Sequence, residues 1–551
     1  MKSLQLVQRL NARRLKDATD TYLQTLQAAP FEASEARTKS ILTGLLESPG
    51  PHVYLGETPS GLKVRVPLAF LIRACCITTG GTGSGKTMAA LLPLQAIVRR
   101  LPGLKTVGFG VLDAKGELFD RAVYLLAARL AELRGRERQE LLDRIVIVDF
   151  ANRVSLSPYN ILARWDYAEP DFFITSRLET LRELLPSGEK LSGRGASVLK
   201  HILTLLSESS LPLTQLDRVL GDEPFRKQLV AASRNEELAF YFRTHYNAEG
   251  KQTIAALRAR MDSLFASEGV RLALSGPSAP DFLRLQNEGK IVLINCAGPT
   301  IARGVRLLLQ GLVLSDIRQA IFARPNNPRV TYWWCADEAQ NFFLTRQMQE
   351  NLTDILTMAR SFGTFFYFLC QNLSTAVPDA RMLEVLYTNI RWSLTLRSTQ
   401  HDAGFLRSAL PVTGRMQKPE QNPFRPAGTY TPEEERNITL AGIATLPDRE
   451  GYLWLKTLSD KAIRIRTPFI DLGGGEHFRT IVDSILQDTT IGGRITRSEY
   501  LNRIRERDRR WTDAVPAESQ ELDVPMAHAF AREQGVNVRM VRMRCSLPAG
   551  S

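Results

Sequence analysis

Cysteine is scarce in this chain, six in 551 residues, and five of the six (Cys75, Cys76, Cys296, Cys335, Cys370) fall inside apolar, strand-like runs with no metal-ligand spacing. Thiols so placed serve as small buried hydrophobes. Adjacent Cys75 and Cys76 must point to opposite faces of a strand, so neither a disulfide framework nor a zinc site is indicated, and a reducing compartment is implied. Long hydrophobic runs are missing as well. No segment approaches the ~20 apolar residues of a membrane span, and the longest candidate, Val66 to Ile77, is broken by Arg73. The N-terminal stretch Met1-Lys-Ser-Leu-Gln-Leu-Val lacks the apolar core of a signal peptide. The expected location is cytoplasmic.

What is present sets a different frame. A length of 551 residues with 44% hydrophobic content implies a globular chain of two or three domains. The formal net charge of +13 favours a polyanionic partner, such as DNA or an acidic membrane surface. The most specific feature is Gly80-Gly81-Thr82-Gly83-Ser84-Gly85-Lys86-Thr87, a complete G-x-x-x-x-G-K-[ST] phosphate loop between an apolar run and a helix-like stretch. A nucleoside triphosphate concentrates negative charge, and glycines let backbone N–H groups crowd round it at a helix N-terminus. Lys86 is expected to neutralise the β and γ oxygens and Thr87 to bind Mg²⁺. ATP with Mg²⁺ is the expected ligand.

Beyond the loop, strands predicted at Val107–Asp113 and Arg144–Phe150 alternate with helix-like sequence, the pattern of a parallel α/β sheet. Residues 165–286 lose the strand signal and read as an all-α insertion. Strands resume at Lys290–Cys296, Val330–Asp337 and Thr364–Gln371, which are expected at the centre of one sheet. Residues 411–436, rich in Pro, Gly, Gln and charge, read as a long surface loop, followed by a hairpin at 451–466. The expected domains are a helical segment 1–50, a nucleotide-binding domain made of 51–164 and 287–475, the insertion 165–286, and a basic helical extension 476–551. In that extension Arg494, Arg497, Arg503, Arg505, Arg507, Arg509 and Arg510 crowd together, either a solvated helix face or a nucleic-acid contact.

Asp337 and Glu338 end a hydrophobic strand and therefore emerge at the sheet edge where the phosphate loop opens, a Walker B pattern. In phosphoryl transfer the first carboxylate holds Mg²⁺ and the second orients or polarises the attacking water. Gln371 ends the next strand and is placed to sense the γ-phosphate. Arg360, just before that strand, cannot easily reach the phosphate of its own subunit but can project into a neighbour's site, as arginine fingers do. Its bland alternative is a helix-terminal salt bridge.

Taken in order, the phosphate loop, Asp113-Ala-Lys115-Gly116-Glu117-Leu, Leu156-Ser-Pro-Tyr-Asn160, the helical insertion, Asp337-Glu338-Ala-Gln-Asn, Arg360-Ser-Phe-Gly and Leu-Cys-Gln371 resemble the conjugative coupling proteins of type IV secretion. The resemblance covers about 50–470, and Asn389 also occupies a family position. It implies a RecA-like P-loop NTPase of the FtsK/HerA group, an α/β fold with an inserted all-α domain. It further implies a homo-hexamer that pumps DNA, docks a relaxase or other secretion substrate, and meets a membrane-anchored channel subunit at the inner membrane. Catalytic roles carried over fall on Lys86, Asp337, Glu338, Arg360 and Gln371. For Asp113, Lys115 and Glu117 only their position at the phosphate edge can be argued. The transmembrane N-terminus usual in that family is not matched here. Alternatives are a HerA/FtsK-like DNA motor in defence or DNA processing, and a nucleotide-gated docking module for a protein substrate. A small-molecule kinase is disfavoured.

Overall fold

A computed structural model describes residues 38–512, apart from 185–190, 247–250, 372, 378–379, 413–415, 419–427 and 474. The expected N-terminal segment therefore lies mostly outside the described residues. The strands are β1 His52–Glu57, β2 Lys63–Pro67, β3 Cys76–Thr79, β4 Val107–Asp113, β5 Ile145–Asp149, β6 Ser155–Leu156 and β7 Ile291–Asn295. They continue as β8 Thr331–Ala336, β9 Thr364–Cys370, β10 Trp392–Leu396, β11 Glu450–Leu455, β12 Ile463–Arg466 and β13 Ile495–Thr496.

Eleven strands form one sheet in the order β2-β1-β12-β11-β10-β3-β9-β8-β4-β7-β5. From β10 to β5 every pairing is parallel, and the β11–β12 and β1–β2 hairpins extend the sheet in antiparallel fashion. The fold class is the expected one, an α/β P-loop architecture with the phosphate-loop strand β3 separated from the acidic strand β8 by β9. The expected central placement fails for one strand: β7 lies next to the edge, because β4 slots between it and β8.

Side chains alternate across the pleat, so both faces must be covered. On β8, Tyr332, Trp334 and Ala336 join one core, while Trp333 and Cys335 join the other. Cys75 and Cys76 divide between the two in the same way. The second core packs under helices Lys86–Val98, Glu117–Glu132 and Gly475–Gln487. The first lies against helix Arg303–Phe322 and the helices between β6 and β7; the described residues of 165–286 contain no strand.

One further reading is corrected. The expected loop 411–436 ends in a helix, Pro432–Gly442, started by a capping box in which Thr431 accepts from the Glu434 backbone and the Glu434 side chain accepts in return. Of the seven C-terminal arginines, Arg497, Arg503, Arg505, Arg509 and Arg510 are exposed, while Arg494, Arg497 and Arg507 make contacts that fasten the fold. Arg494 is buried and donates to the carbonyls of Ile485, Leu486, Asp488 and Ile491, Arg497 pairs with Glu268, and Arg507 donates to the Ser275 carbonyl. Helix Arg497–Thr512 is thereby fastened to the helical segment, with Tyr500 fully buried and donating to the Ala273 carbonyl at 3.1 Å.

Candidate functional site

β3 runs into the loop Gly80–Gly85 and on into helix Lys86–Val98. Gly83 and Gly85 take φ of 75° and 104°, a region closed to most side-chain-bearing residues. The loop is fixed from three sides: the Gly80 N–H donates to the Cys370 carbonyl at 3.2 Å, the Gly81 N–H to the Arg397 carbonyl at 2.7 Å, and the Arg449 N–H to the Ser84 carbonyl at 2.9 Å. Ser84 also donates its hydroxyl to the Gly81 carbonyl. Lys86 is buried at the helix start, and its Nζ donates to the carbonyls of Gly80 (2.7 Å) and Gly81 (2.9 Å). Burial, and then the charge of Lys115, push its pKa down. Thr82 is exposed, and Thr87 half-buried in the first helical turn.

The acidic pair arrives from β8. Asp337 is 4% exposed, and its pKa is pushed up to about 7 by burial and by the charges of Asp113 and Glu338. Glu338 follows with φ 51°, left-handed for a residue other than glycine. Such a conformation costs about 1–3 kcal/mol and persists only where its surroundings enforce it. Here three donors do so. Glu338 Oε1 accepts from Gln371 Nε2 at 2.6 Å and from Lys115 Nζ, while its Oε2 accepts from Gln340 Nε2. Gln371 also meets the phosphate loop through a long contact, Thr82 Oγ1 to Oε1 at 3.4 Å.

The turn after β4 resolves what spacing alone left open. Asp113 is fully buried; its Oδ1 accepts from the Lys115 N–H at 2.7 Å and its Oδ2 from the Phe119 N–H at 2.9 Å. Gly116, with φ 91°, then starts helix Glu117–Glu132. Asp113 is thus the tie of a tight turn, Glu117 is an exposed partner of Arg121, and Lys115 alone of the three reaches Glu338. Asn160 and Asn389 also bond locally, to the Leu162 N–H and the Val385 carbonyl.

Lys86, Glu338, Gln371 and the glycine loop are therefore brought together at the C-terminal edge of the parallel strands, with Asp337 among the charges acting on Lys86. Arg360 is not. It is exposed in the turn Ala359–Phe362 before β9, at the opposite edge from Gln371. The length of β9 puts about 23 Å between the two ends. Sequence reasoning did not single out Gln340, although only Ala339 separates it from the acidic pair. Nor did it single out Arg397 and Arg449, whose contacts with the loop span hundreds of residues and leave no local signal.

No family model and no curated protein matches this chain. Solved structures do. The bacterial conjugative coupling protein TrwB, in its unbound monoclinic form, aligns at a TM-score of 0.48 and 16% identity, covering 79% of this chain and 93% of that one. TrwB in complex with ADP and Mg²⁺ aligns at 0.48 and 14%, covering 78% and 98%. VirB4 of Thermoanaerobacter pseudethanolicus aligns at 0.47 and 13%, covering 78% and 99%. Among the described residues no helix is long and apolar enough to cross a membrane.

Proposed function

We propose that this chain is an ATP-driven DNA translocase of the coupling-protein type, acting as a homo-hexamer on DNA or a relaxase–DNA substrate. The observation that carries the reading is the convergence on one sheet edge of a lysine-bearing phosphate loop and a strained glutamate held by the terminal glutamine of the neighbouring strand. A loop of this shape binds phosphates through its N–H groups, and Lys86 is positioned to leave the Gly80 and Gly81 carbonyls for phosphate oxygens.

Burial, and then the nearby carboxylates of Asp113 and Glu338, raise the Asp337 pKa, and buried carboxylates crowded in this way are a charge that a divalent cation relieves. The residues thus fit Mg²⁺, with Thr87 and Asp337 as its holders; the ion would neutralise charge on the transferring phosphoryl group. Glu338 would orient the attacking water and take its proton, and Gln371 would report phosphate contact to Glu338 through their shared hydrogen bond. Arg360, remote from its own site and exposed, would serve a neighbouring subunit. The segment 165–286 is proposed as the substrate-facing domain.

Glu338→Gln keeps a side chain able to bond Gln371 but removes the base. It should retain ATP binding while losing about 10²–10⁴ in turnover, measured as phosphate release with and without DNA at low salt. A wild-type chain that hydrolyses no ATP in the presence of single- or double-stranded DNA would overturn the reading.

A further inference from the structure

An ammonium group and the Gln371 amide together fill the two acceptor positions of Glu338 Oε1, leaving that oxygen no lone pair for a water. That ammonium comes from Lys115, on a turn whose backbone is clamped by both oxygens of buried Asp113. The backbone is fixed, but the side chain is not: Lys115 is 44% exposed, whereas its partner Glu338 is 14% exposed. Lys115 also lies close enough to Lys86 for their charges to oppose each other. A cation repelled by one neighbour, open to solvent and standing at the phosphate edge is one that a second anion can draw off.

We propose that Lys115 is a positioning residue that restrains Glu338 in an idle orientation, and that a phosphate group attracting its ammonium frees the carboxylate to act. The inference rests on the reading of Glu338 as the water-activating group. The phosphate belongs either to the nucleotide or to a nucleic-acid backbone. Gln371 and Gln340 remain on Glu338 in both cases, so release of Lys115 removes the charge without removing the aim.

The test uses the full chain and its variants Lys115→Met and Lys115→Arg, with ATP hydrolysis followed with and without an oligonucleotide. Lys115→Met should raise the rate without nucleic acid by about fivefold, the factor that a partly exposed pair of about 1 kcal/mol represents. Lys115→Arg, which keeps the cation, should return it toward the wild-type value. If nucleic acid supplies the phosphate, the oligonucleotide accelerates the wild type but adds little to Lys115→Met. If the nucleotide supplies it, ATP draws the ammonium off for only part of its bound time, so Lys115→Met still gains over the wild type and the oligonucleotide accelerates both chains by the same factor. A Lys115→Met rate equal to or below wild type, at unchanged ATP affinity and melting temperature, overturns the restraint. Lys115→Gln repeats the measurement should the methionine variant fold poorly. Wild-type hydrolysis with no acceleration in either neutral variant sinks the restraint alone, and absence of hydrolysis in every chain sinks the functional reading with it.

Discussion

Asp149 ends β5 with its carboxyl 6% exposed, and burial lifts its pKa to about 6 against an ordinary 3.8. Its Oδ1 accepts from the Ala151 N–H and from Asn295 Nδ2, contacts that only partly offset the lost hydration. Between those two pH values the folded chain holds a proton that the unfolded chain has released. Stability therefore falls as pH rises from about 4 to 6 and stays lowered above that. Asp149→Asn keeps an oxygen for both donors and removes the charge. It should raise stability at pH 7 by on the order of 2 kcal/mol and gain little below pH 4, which thermal melts at the two pH values would show. The site residues carry the opposite lesson: Glu338 is held in an unfavourable backbone conformation by Gln340 beside it and by Lys115 and Gln371 from two other segments.

β4 shows how one element is fitted to the next. Gly108 and Gly110 stand in register with Tyr332 and Trp334 of β8, and a Cβ at Gly110 would lie 2.2 Å from the Trp334 ring. The glycines make room for rings that lean across the strand pair, a familiar way of covering glycine in a sheet. Gly110→Ala should cost about 1–3 kcal/mol through overpacking, read as a lower melting temperature with the ATP affinity of the surviving folded protein little changed. Such fits explain what the sequence shows and conceals. The parallel strands were legible because runs such as Ile145–Asp149 and Thr364–Cys370 are apolar on both faces and end in polar residues. The phosphate loop and the acidic pair were legible because their chemistry is local. Strand order was not, since nothing within Ile291–Asn295 says that β4 will intervene between it and β8. Helix Pro432–Gly442 was hidden by proline and charge, although Thr431 and Glu434 already carried its start signal. The pairing of Lys115 with Glu338, more than two hundred residues apart, depends wholly on β4 lying beside β8.

At the scale of the molecule, β9 joins two edges: Gln371 reaches the candidate site, and Arg360 faces solvent at the far end. Arg360→Ala should therefore leave folding and ATP binding intact while lowering turnover by about 10³-fold or more if the arginine completes a neighbour's site. Mixing it with Glu338→Gln subunits should restore part of the activity, since some interfaces would then pair an intact glutamate with an intact arginine. A titration of mixed subunits measures this, and activity absent at every ratio would count against the shared site.

The hydrophobic cluster on one face of the sheet runs without interruption from Ile77, Trp334 and Phe368 into Phe173, Leu199 and Leu257 of the helical segment. Among the described residues, buried side chains of that segment and of the sheet form one continuous apolar cluster. Excised, the segment would expose the apolar sides it now rests on strands and on helix Arg303–Phe322. Moving its helices off the sheet would therefore open apolar surface to water, at a cost of about 25 cal/mol for each Å² uncovered.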